Sequence, residues 1–236
     1  HVRILMQTEN PQEYIIIVAA GTGSRFGASV PKQYCSLAGE PVLIHTLKRI
    51  SLIMPAATQL LVISREMESL WLDLCRSHNF KSPEYTFGGS TRFHSVKAAL
   101  DMLASRAADN DIVYVHDAAR PLLCPHVVER LRHSVAADAG SGAVPVIAMA
   151  DSIRMLQPDG ISAAVDRNLY KAVQTPQAFR FGRIIRAYSQ EFNDFFTDDA
   201  SVVERYFRRP VDIVEGSPDT LKITNARDLA VVSALL

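Results

Sequence analysis

The fold is decided by the stretch Ile15-Ile16-Ile17-Val18-Ala19-Ala20-Gly21-Thr22-Gly23-Ser24-Arg25-Phe26-Gly27, which is soon followed by Pro31-Lys32-Gln33. A β-branched run that ends at a glycine-rich segment is typical of a buried parallel strand that leads into a loop. The glycines remove side chains and allow positive φ angles, so that successive N–H groups are able to face one anion. Arg25 and Lys32 add two cations. The stretch therefore predicts a binding site for a phosphate chain.

The spacing of these glycines differs from that of two common phosphate-binding loops. A dinucleotide-binding fingerprint needs glycine where this chain has Phe26, and a Walker loop ends in Gly-Lys-Ser or Gly-Lys-Thr, which this segment lacks. The remaining pattern, Ala-Ala-Gly-x-Gly-x-Arg before Pro-Lys-Gln, resembles the loop of nucleotidyltransferases that join a nucleoside triphosphate to a sugar phosphate. The alternative is a glycine-rich turn with surface cations, but a turn alone seldom needs so many special residues.

Composition limits the possible classes of protein. With 236 residues, 48% of them apolar, the chain is long enough to form one large core, and we expect a single domain over residues 1–236. Basic and acidic residues balance at 25 each, so we expect neither a nucleic-acid partner nor a membrane surface. The scattered Cys35, Cys75 and Cys124 have no metal-binding spacing. They predict buried thiols in a reducing compartment, and therefore a cytoplasmic protein.

Strand and helix patterns alternate along the first two thirds of the chain. Apolar runs predict strands at 59–64, 85–87, 111–117 and 144–149, and helical periodicity predicts helices at 41–50, 67–75 and 95–100. Ligands of open parallel sheets bind beyond the carboxyl ends of the strands, so the ends near residues 20, 88 and 117 should line one crevice. The pair Asp117 and Arg120 would add charges there, although a salt bridge at a helix entry is the alternative interpretation.

The remaining third begins with a predicted hairpin. Pro158-Asp159-Gly160 is a turn sequence between the segments 151–156 and 161–167. Because an isolated two-stranded hairpin is marginal in water, we expect this arm, at about residues 150–170, to pack against a second copy of the chain. Beyond it we predict helices at 179–192 and 197–206, a strand at 211–216 and a closing helix capped by Asn225. Asp198 and Asp199 are interpreted either as helix-capping residues or as functional carboxylates.

Five motifs together resemble the 2-C-methyl-D-erythritol 4-phosphate cytidylyltransferase family. They are the loop already quoted, Gly-Gly-Ser-Thr-Arg at 88–92, Val-His-Asp-Ala-Ala-Arg-Pro at 115–121, Val-Asp-Arg with Gln-Thr-Pro-Gln at 165–177, and Asp-Thr-Leu-Lys-Ile-Thr at 219–224. The resemblance runs from about residue 14 to the end. It implies a Rossmann-like, mostly parallel α/β sheet of the nucleotidyltransferase (GT-A-like) type with a protruding β-hairpin arm. It also implies cytidylyl transfer from CTP to methylerythritol phosphate, Mg²⁺ as cofactor, and a homodimer joined through the arms.

The resemblance further implies roles for individual residues. Four cations are implied to be catalytic, the last two by holding the sugar phosphate: Arg25, Lys32, Arg167 and Lys222. The nucleotide-binding positions are Ala19, Ala20, Gly21, Gly23, Gly89, Ser90, Ser95, Asp117 and Ala118. Among these, Gly89, Ser90 and Ser95 read the cytosine ring, and Asp117 is the implied metal ligand. Hydroxyls around the second substrate come from Ser152, Thr175 and Thr197.

The sequence departs from the family pattern at two positions and leaves other functions open. Ser90 stands where the family often has an acidic residue, and Ser152 stands where it usually has threonine. The nearest alternative is the same chemistry on ribitol 5-phosphate. A further alternative is an inactive nucleotide-binding module, which would be favoured if the loop lacked its cations, but Arg25 and Lys32 are present. A nicotinamide-dependent reductase is disfavoured by the glycine spacing.

Overall fold

A computed structural model describes residues 11–21 and 30–236. Its helices are α1 (Val42–Ile53), α2 (Glu68–Ser77), α3 (Arg92–Leu103), α4 (Pro125–Ala137), α5 (Phe181–Ala187), α6 (Asp199–Phe207) and α7 (Ala226–Leu235). Its strands are β1 (Glu13–Val18), β2 (Ser36–Leu37), β3 (Glu40–Pro41), β4 (Thr58–Ile63), β5 (Glu84–Phe87), β6 (Ile112–Asp117), β7 (Ala143–Ala148), β8 (Ile153–Leu156), β9 (Ser162–Val165), β10 (Lys171–Val173), β11 (Gln177–Arg180) and β12 (Asp212–Glu215).

Eight of the described strands form one mainly parallel sheet. The order is β10-β7-β11-β6-β1-β4-β5, and β12 pairs with β7. β5, β4, β1 and β6 are parallel neighbours, whereas β11 is antiparallel to both β6 and β7. The carboxyl ends of the four parallel neighbours therefore lie at the same edge of the sheet, as the sequence predicted.

Helices cover both faces of the sheet. Ile15 and Ile17 of β1 belong to a buried cluster with residues of α1, α2 and α4. Tyr14 and Ile16, which point the opposite way because side chains alternate along a strand, belong to a second cluster with residues of α3, α5 and α6. β1 is thus buried from both sides, which explains its uninterrupted apolar sequence. Trp71, in the first cluster, has no exposed surface.

The predicted α/β fold is confirmed, but two elements differ from expectation. The predicted helix at 179–192 is wrong at its start, because Gln177–Arg180 forms β11, which pairs with β6 from Gln177 opposite Val115 to Arg180 opposite Ile112. The helix that follows ends at Ala187. α4 was expected only through the alternative interpretation of Asp117 and Arg120, a salt bridge at a helix entry before Pro125. It begins at Pro125, whose fixed φ suits a first helical position, and ends where Asp138 adopts a left-handed φ of 57°.

A hairpin lies outside the large sheet. β8 and β9 pair antiparallel as a separate two-stranded sheet, from Ile153 opposite Val165 to Leu156 opposite Ser162. Leu156 is 76% exposed and Leu169, just beyond the hairpin, is 80% exposed. These apolar side chains are not buried in the core of this chain.

The burial of the cysteine thiols differs in part from the sequence prediction. All three thiols are free, but only Cys75 is buried, so the prediction of buried thiols is wrong for Cys35 and Cys124.

Among the described helices, none has the length and apolar character that crossing a bilayer requires.

Candidate active site

A cavity of about 950 Å³ opens at the carboxyl edge of the sheet. The ends of β1, β4, β5 and β6, the start of α3 and the segment before α7 contribute to its walls. Nine of the sequence-predicted site residues line it: Ala20, Gly21, Lys32, Gly89, Ser90, Ser95, Asp117, Ala118 and Lys222. The crevice predicted from the strand ends is therefore present.

The glycine-rich loop contributes Gly21 and Lys32 to the cavity wall. The Gln33 side chain ties Lys32 to the strand exit, because its Nε2 donates hydrogen bonds to the carbonyl oxygens of Ala19 at 2.7 Å and Gly21 at 2.9 Å. Ala19 itself is buried. Gly23 and Arg25, which the sequence also assigns to this loop, lie outside the described residues.

The turn between β5 and α3 forms another wall. A side chain at Gly88 would come within 2.4 Å of the Ala20 Cβ and 2.7 Å of the Ser95 Oγ, so glycine permits the close approach of β1 and α3. Thr91 caps α3 by accepting from the His94 N–H at 3.3 Å, and the Ser95 Oγ donates to the Thr91 carbonyl at 3.0 Å. Ser90 is exposed at the cavity. The turn thus offers backbone groups and hydroxyls to a ligand.

Asp117, the last residue of β6, carries the negative charge of the site. Lys222 Nζ lies 2.9 Å from its Oδ2, and Arg120 Nε lies 3.3 Å from the same oxygen. On the other side, Arg92 Nε lies 3.8 Å from Oδ1. Burial opposes ionisation, but the charges of these three cations outweigh it and hold the pKa of Asp117 well below its usual range. Asp117 and Arg120 thus form the salt bridge named as the alternative interpretation, and the Asp117 carboxylate also faces the cavity.

A hydrogen-bonded chain fixes Asp117 from behind. His116 is fully buried, and burial lowers its pKa to about 4, so the ring is neutral at neutral pH. Its Nε2 lies 3.0 Å from the Arg120 carbonyl oxygen, which only accepts, so Nε2 carries the proton and Nδ1 does not. The Thr175 hydroxyl then donates to Nδ1 at 3.2 Å and accepts from the Asp117 N–H at 3.0 Å. Thr175, which was predicted to contact the second substrate, supports the main chain of Asp117 in this structure.

Arg92 joins the start of α3 to the start of α6. Its Nη1 and Nη2 lie 2.9 and 2.8 Å from the two carboxylate oxygens of Asp199, which has no exposed surface. Asp198, by contrast, caps α6 in a capping box with Ser201. The two interpretations of the acidic pair thus apply to different residues, with Asp198 as the cap and Asp199 as a buried ion-pair partner.

Besides Thr175, which is buried behind Asp117, three predicted substrate residues do not line the cavity of this single chain. Ser152, Arg167 and Thr197 are all exposed. Arg167 follows the hairpin and donates from Nη1 to the Ala150 carbonyl oxygen. Two of the three therefore lie beside the hairpin rather than at the cavity.

Sequence reasoning gave no role to two arginines of the cavity wall. Arg92 belongs to the quoted motif at 88–92 but was assigned no function. Arg65 follows β4, and its guanidinium carbon lies 4.0 Å from the centre of the Phe87 ring. The rule on carboxyl ends of parallel strands would have pointed to Arg65 had it been applied to β4 as well. Within residues 11–21 and 30–236, no three His, Cys, Asp or Glu side chains gather into a metal-holding group.

The chain is similar over nearly its whole length to one family of proteins. The family model described as IspD, 2-C-methyl-D-erythritol 4-phosphate cytidylyltransferase, matches residues 14–236. A protein of that name from Bacteroides thetaiotaomicron is 40% identical over 226 residues, which cover 95% of this chain and 100% of that protein. Another, from Bacteroides fragilis, is 41% identical over 222 residues, which cover 94% and 98%. The crystal structure of the Francisella tularensis 2-C-methyl-D-erythritol 4-phosphate cytidylyltransferase (IspD) matches with a TM-score of 0.75 at 28% identity, covering 95% of this chain and 100% of that chain.

Proposed function

The chain belongs to the 2-C-methyl-D-erythritol 4-phosphate cytidylyltransferase (IspD) family, and we propose that the cavity at the carboxyl edge of the sheet is its active site. The enzyme transfers a cytidylyl group from CTP to 2-C-methyl-D-erythritol 4-phosphate in non-mevalonate isoprenoid biosynthesis. The products are 4-diphosphocytidyl-2-C-methyl-D-erythritol and pyrophosphate. The meeting of Lys32, Gly89, Asp117 and Lys222 in the walls of one cavity carries the assignment of the site.

The chemistry requires positioning and charge neutralisation more than proton transfer. An oxygen of the methylerythritol phosphate attacks the α-phosphorus of CTP, and the bond from that phosphorus to the β-phosphate oxygen breaks as pyrophosphate leaves with the electron pair. A phosphate monoester is already anionic at neutral pH, so no general base is needed. Two polyanions must nevertheless approach each other, and preorganised cations lower that barrier. Lys32 and Lys222 serve this purpose in the cavity, and Arg25 supplies a further cation from the same loop as Lys32.

Mg²⁺ is the metal that we propose for the nucleotide. In nucleotide sites this ion usually takes one or two carboxylates together with phosphate oxygens and water. Asp117 is ionised and faces the cavity, so it fits the role of that carboxylate. When bound, the ion neutralises charge on the triphosphate and orients it. Lys222, whose Nζ lies 2.9 Å from Asp117 Oδ2, would hold the phosphate of the second substrate in the same cavity.

The turn from Gly89 to Ser95 is proposed to select cytosine. The Ser90 hydroxyl is exposed at the cavity, and the α3 N-terminus beside it presents backbone N–H groups. Uracil replaces the amino donor of cytosine by a carbonyl acceptor. Polar groups matched to cytosine would then be buried without partners, a mismatch that rejects the wrong base strongly.

A second copy of the chain is proposed to complete the site. The hairpin β8–β9 exposes Met155, Leu156 and Ile161, which suits an interface better than open water. Arg167, beside the hairpin, is exposed and does not line the cavity of its own chain. A homodimer joined through the arms would bring the Arg167 of one copy to the methylerythritol phosphate held mainly by the other.

The experiment that tests this function is pyrophosphate release from purified protein and Mg²⁺. CTP and UTP are each combined with methylerythritol phosphate and, in parallel, with ribitol 5-phosphate. We expect release with CTP and methylerythritol phosphate, and rates lower by at least about a hundredfold with UTP. Faster turnover of ribitol 5-phosphate would reassign the substrate, and equal turnover of the two nucleotides would contradict the proposed base recognition.

A further inference from the structure

We propose that Arg92 is a positioning residue, which Asp199 anchors and which holds the Asp117 carboxylate in the orientation that CTP binding needs. The proposal rests on the proposed function, because it concerns the nucleotide side of the same cavity. The ion pair between Arg92 and Asp199, which links α3 to α6, would then support CTP binding.

The guanidinium of Arg92 is held in a fixed plane. Two parallel hydrogen bonds, of 2.9 and 2.8 Å, join its Nη atoms to Asp199. The Tyr188 hydroxyl donates to the same carboxylate at 2.5 Å, and both Asp199 and Tyr188 are buried. Such a forked pair fixes direction as well as distance, which a lysine in place of the arginine would not do.

This anchoring leaves the Nε edge of the guanidinium directed at Asp117. The distance from Nε to Oδ1 is 3.8 Å, too long for a hydrogen bond but short enough for strong attraction in a partly buried site. Lys222 and Arg120 both approach Oδ2. Among the ion pairs of the described residues, Arg92 is therefore the cation on the Oδ1 side, and it balances the pull of the other two.

Arg92 lies between the turn proposed to bind cytosine and Asp117. It is the first residue of α3 and follows the turn at Gly89 and Ser90 that is proposed to read cytosine. A rigid link from this turn to Asp117 would keep the base-binding and phosphate-binding ends of the nucleotide site at a constant separation. Only the Asp117 side of the link faces the cavity, because Asp199 has no exposed surface.

The alternative is that the pair only stabilises the fold. The chain offers a matched control, because Arg132 makes an equally forked pair with Glu13 at 2.7 and 2.9 Å. Neither residue of that pair lines the cavity. The pairs differ in burial, since Asp199 is fully buried and Glu13 is partly exposed, and in that Asp117 lies beside Arg92.

The test replaces each pair by neutral residues of similar shape, which removes the charges without leaving one buried alone. One variant carries Arg92→Gln with Asp199→Asn, and the control carries Arg132→Gln with Glu13→Gln. CTP affinity is measured by calorimetry with Mg²⁺, kcat and KM by pyrophosphate release, and folding by thermal unfolding. We expect the first variant to bind CTP about 10- to 100-fold more weakly, as is typical when the support of a ligating carboxylate is lost. The control should stay within about threefold of the wild type.

A double-mutant cycle with Asp117→Asn shows whether Arg92 acts through Asp117. We expect the loss of CTP affinity caused by the neutral pair to vanish in the Asp117→Asn background, and Arg92→Lys, which keeps a cation, to lose less than the neutral pair. Unchanged CTP affinity, or an undiminished loss in the Asp117→Asn background, would overturn the proposal. If the neutral pair does not fold, the same cycle with Arg92→Lys decides, and additive effects contradict the proposal. A wild type that binds CTP but releases no pyrophosphate would instead reject the proposed function.

Discussion

Lys32 owes its position to its neighbour. Gln33 is buried and hydrogen-bonded to two carbonyls at the exit of β1, so the lysine stands at a fixed place in the cavity wall. We expect Lys32→Ala to lower kcat by about a hundredfold or more with little change in CTP affinity, because a preorganised cation acts where charge develops. Steady-state kinetics and calorimetry measure the two effects. Lys48→Ala, which removes an exposed lysine paired with Glu40, is the control. An unchanged kcat with only a raised KM for CTP would argue against this role.

Thr175 allows a second test at the scale of single residues. Thr175→Val keeps the shape of the side chain but leaves the Asp117 N–H without its acceptor and His116 Nδ1 without its donor. We expect a loss of about 1–3 kcal/mol in the free energy of unfolding, the usual effect of unsatisfied buried groups, together with a reduced kcat/KM for CTP. Urea unfolding and kinetics provide the measurements.

The control for Thr175 is Ser141→Ala, because Ser141 is also buried and donates to the carbonyls of Arg209 and Pro210 away from the cavity. This variant should lose stability and keep kcat/KM. If Thr175→Val behaved in the same way, the hydroxyl would serve the fold alone.

Single residues show where sequence reasoning succeeds and where it ends. Gly89 and Asp117 could be placed together because both follow the ends of predicted strands, and Lys222 could be added through the family resemblance. Arg92 could not be given its partner, since Asp199 is 107 residues away and only the packing of α3 against α5 and α6 brings the two together. Arg25 and Gly23 stay predictions.

Helices and strands also differ in whether local sequence or distant contacts determine them. β1 and β4 were predictable from their continuous apolar runs, and α1 from its helical periodicity, because these are features of each segment alone. β11 was not predicted, and its last two residues were assigned to the start of a helix at 179–192. Its extended form depends on pairing with β6, about sixty residues earlier, and such non-local pairing overrides local preference.

The contact between β1 and α4 predicts a pH dependence of stability. Burial opposes the ionisation of Glu13, but hydrogen bonds from Arg132 and Tyr114 outweigh it, so its pKa is lowered from the ordinary 4.5. A depressed folded-state pKa means that this stabilisation is present above the unfolded pKa and is lost as the pH falls through the folded pKa. Wild type should therefore be more stable than Glu13→Gln near neutral pH, and the difference should shrink below about pH 4.5.

Urea unfolding of both proteins from about pH 7 to pH 3 measures that difference. Glu191→Gln, at an exposed position, is the control and should differ little from wild type at any pH. A difference for Glu13→Gln that is independent of pH would mean that the ion pair is not its source.

At the scale of the whole molecule, the cavity and the hairpin are separate features of one chain. Most of the predicted nucleotide-binding residues line the cavity, whereas Ser152 and Arg167 flank the hairpin, which exposes apolar side chains. We propose that a two-fold dimer joins the two features, with each arm reaching the cavity of the other copy. Activity would then require the dimer.

Mixing two inactive variants shows whether two copies of the chain share each site. Lys32→Ala and Arg167→Ala should each be nearly inactive as homodimers, but a heterodimer contains one site with both native residues. The proteins are mixed under conditions of subunit exchange, heterodimers are verified by native mass spectrometry, and pyrophosphate release is measured with CTP and methylerythritol phosphate. We expect recovery of up to about half of the wild-type activity per heterodimer, because one of two symmetric sites is intact. Heterodimers without recovered activity, or variants that never associate, would contradict a site shared between two copies.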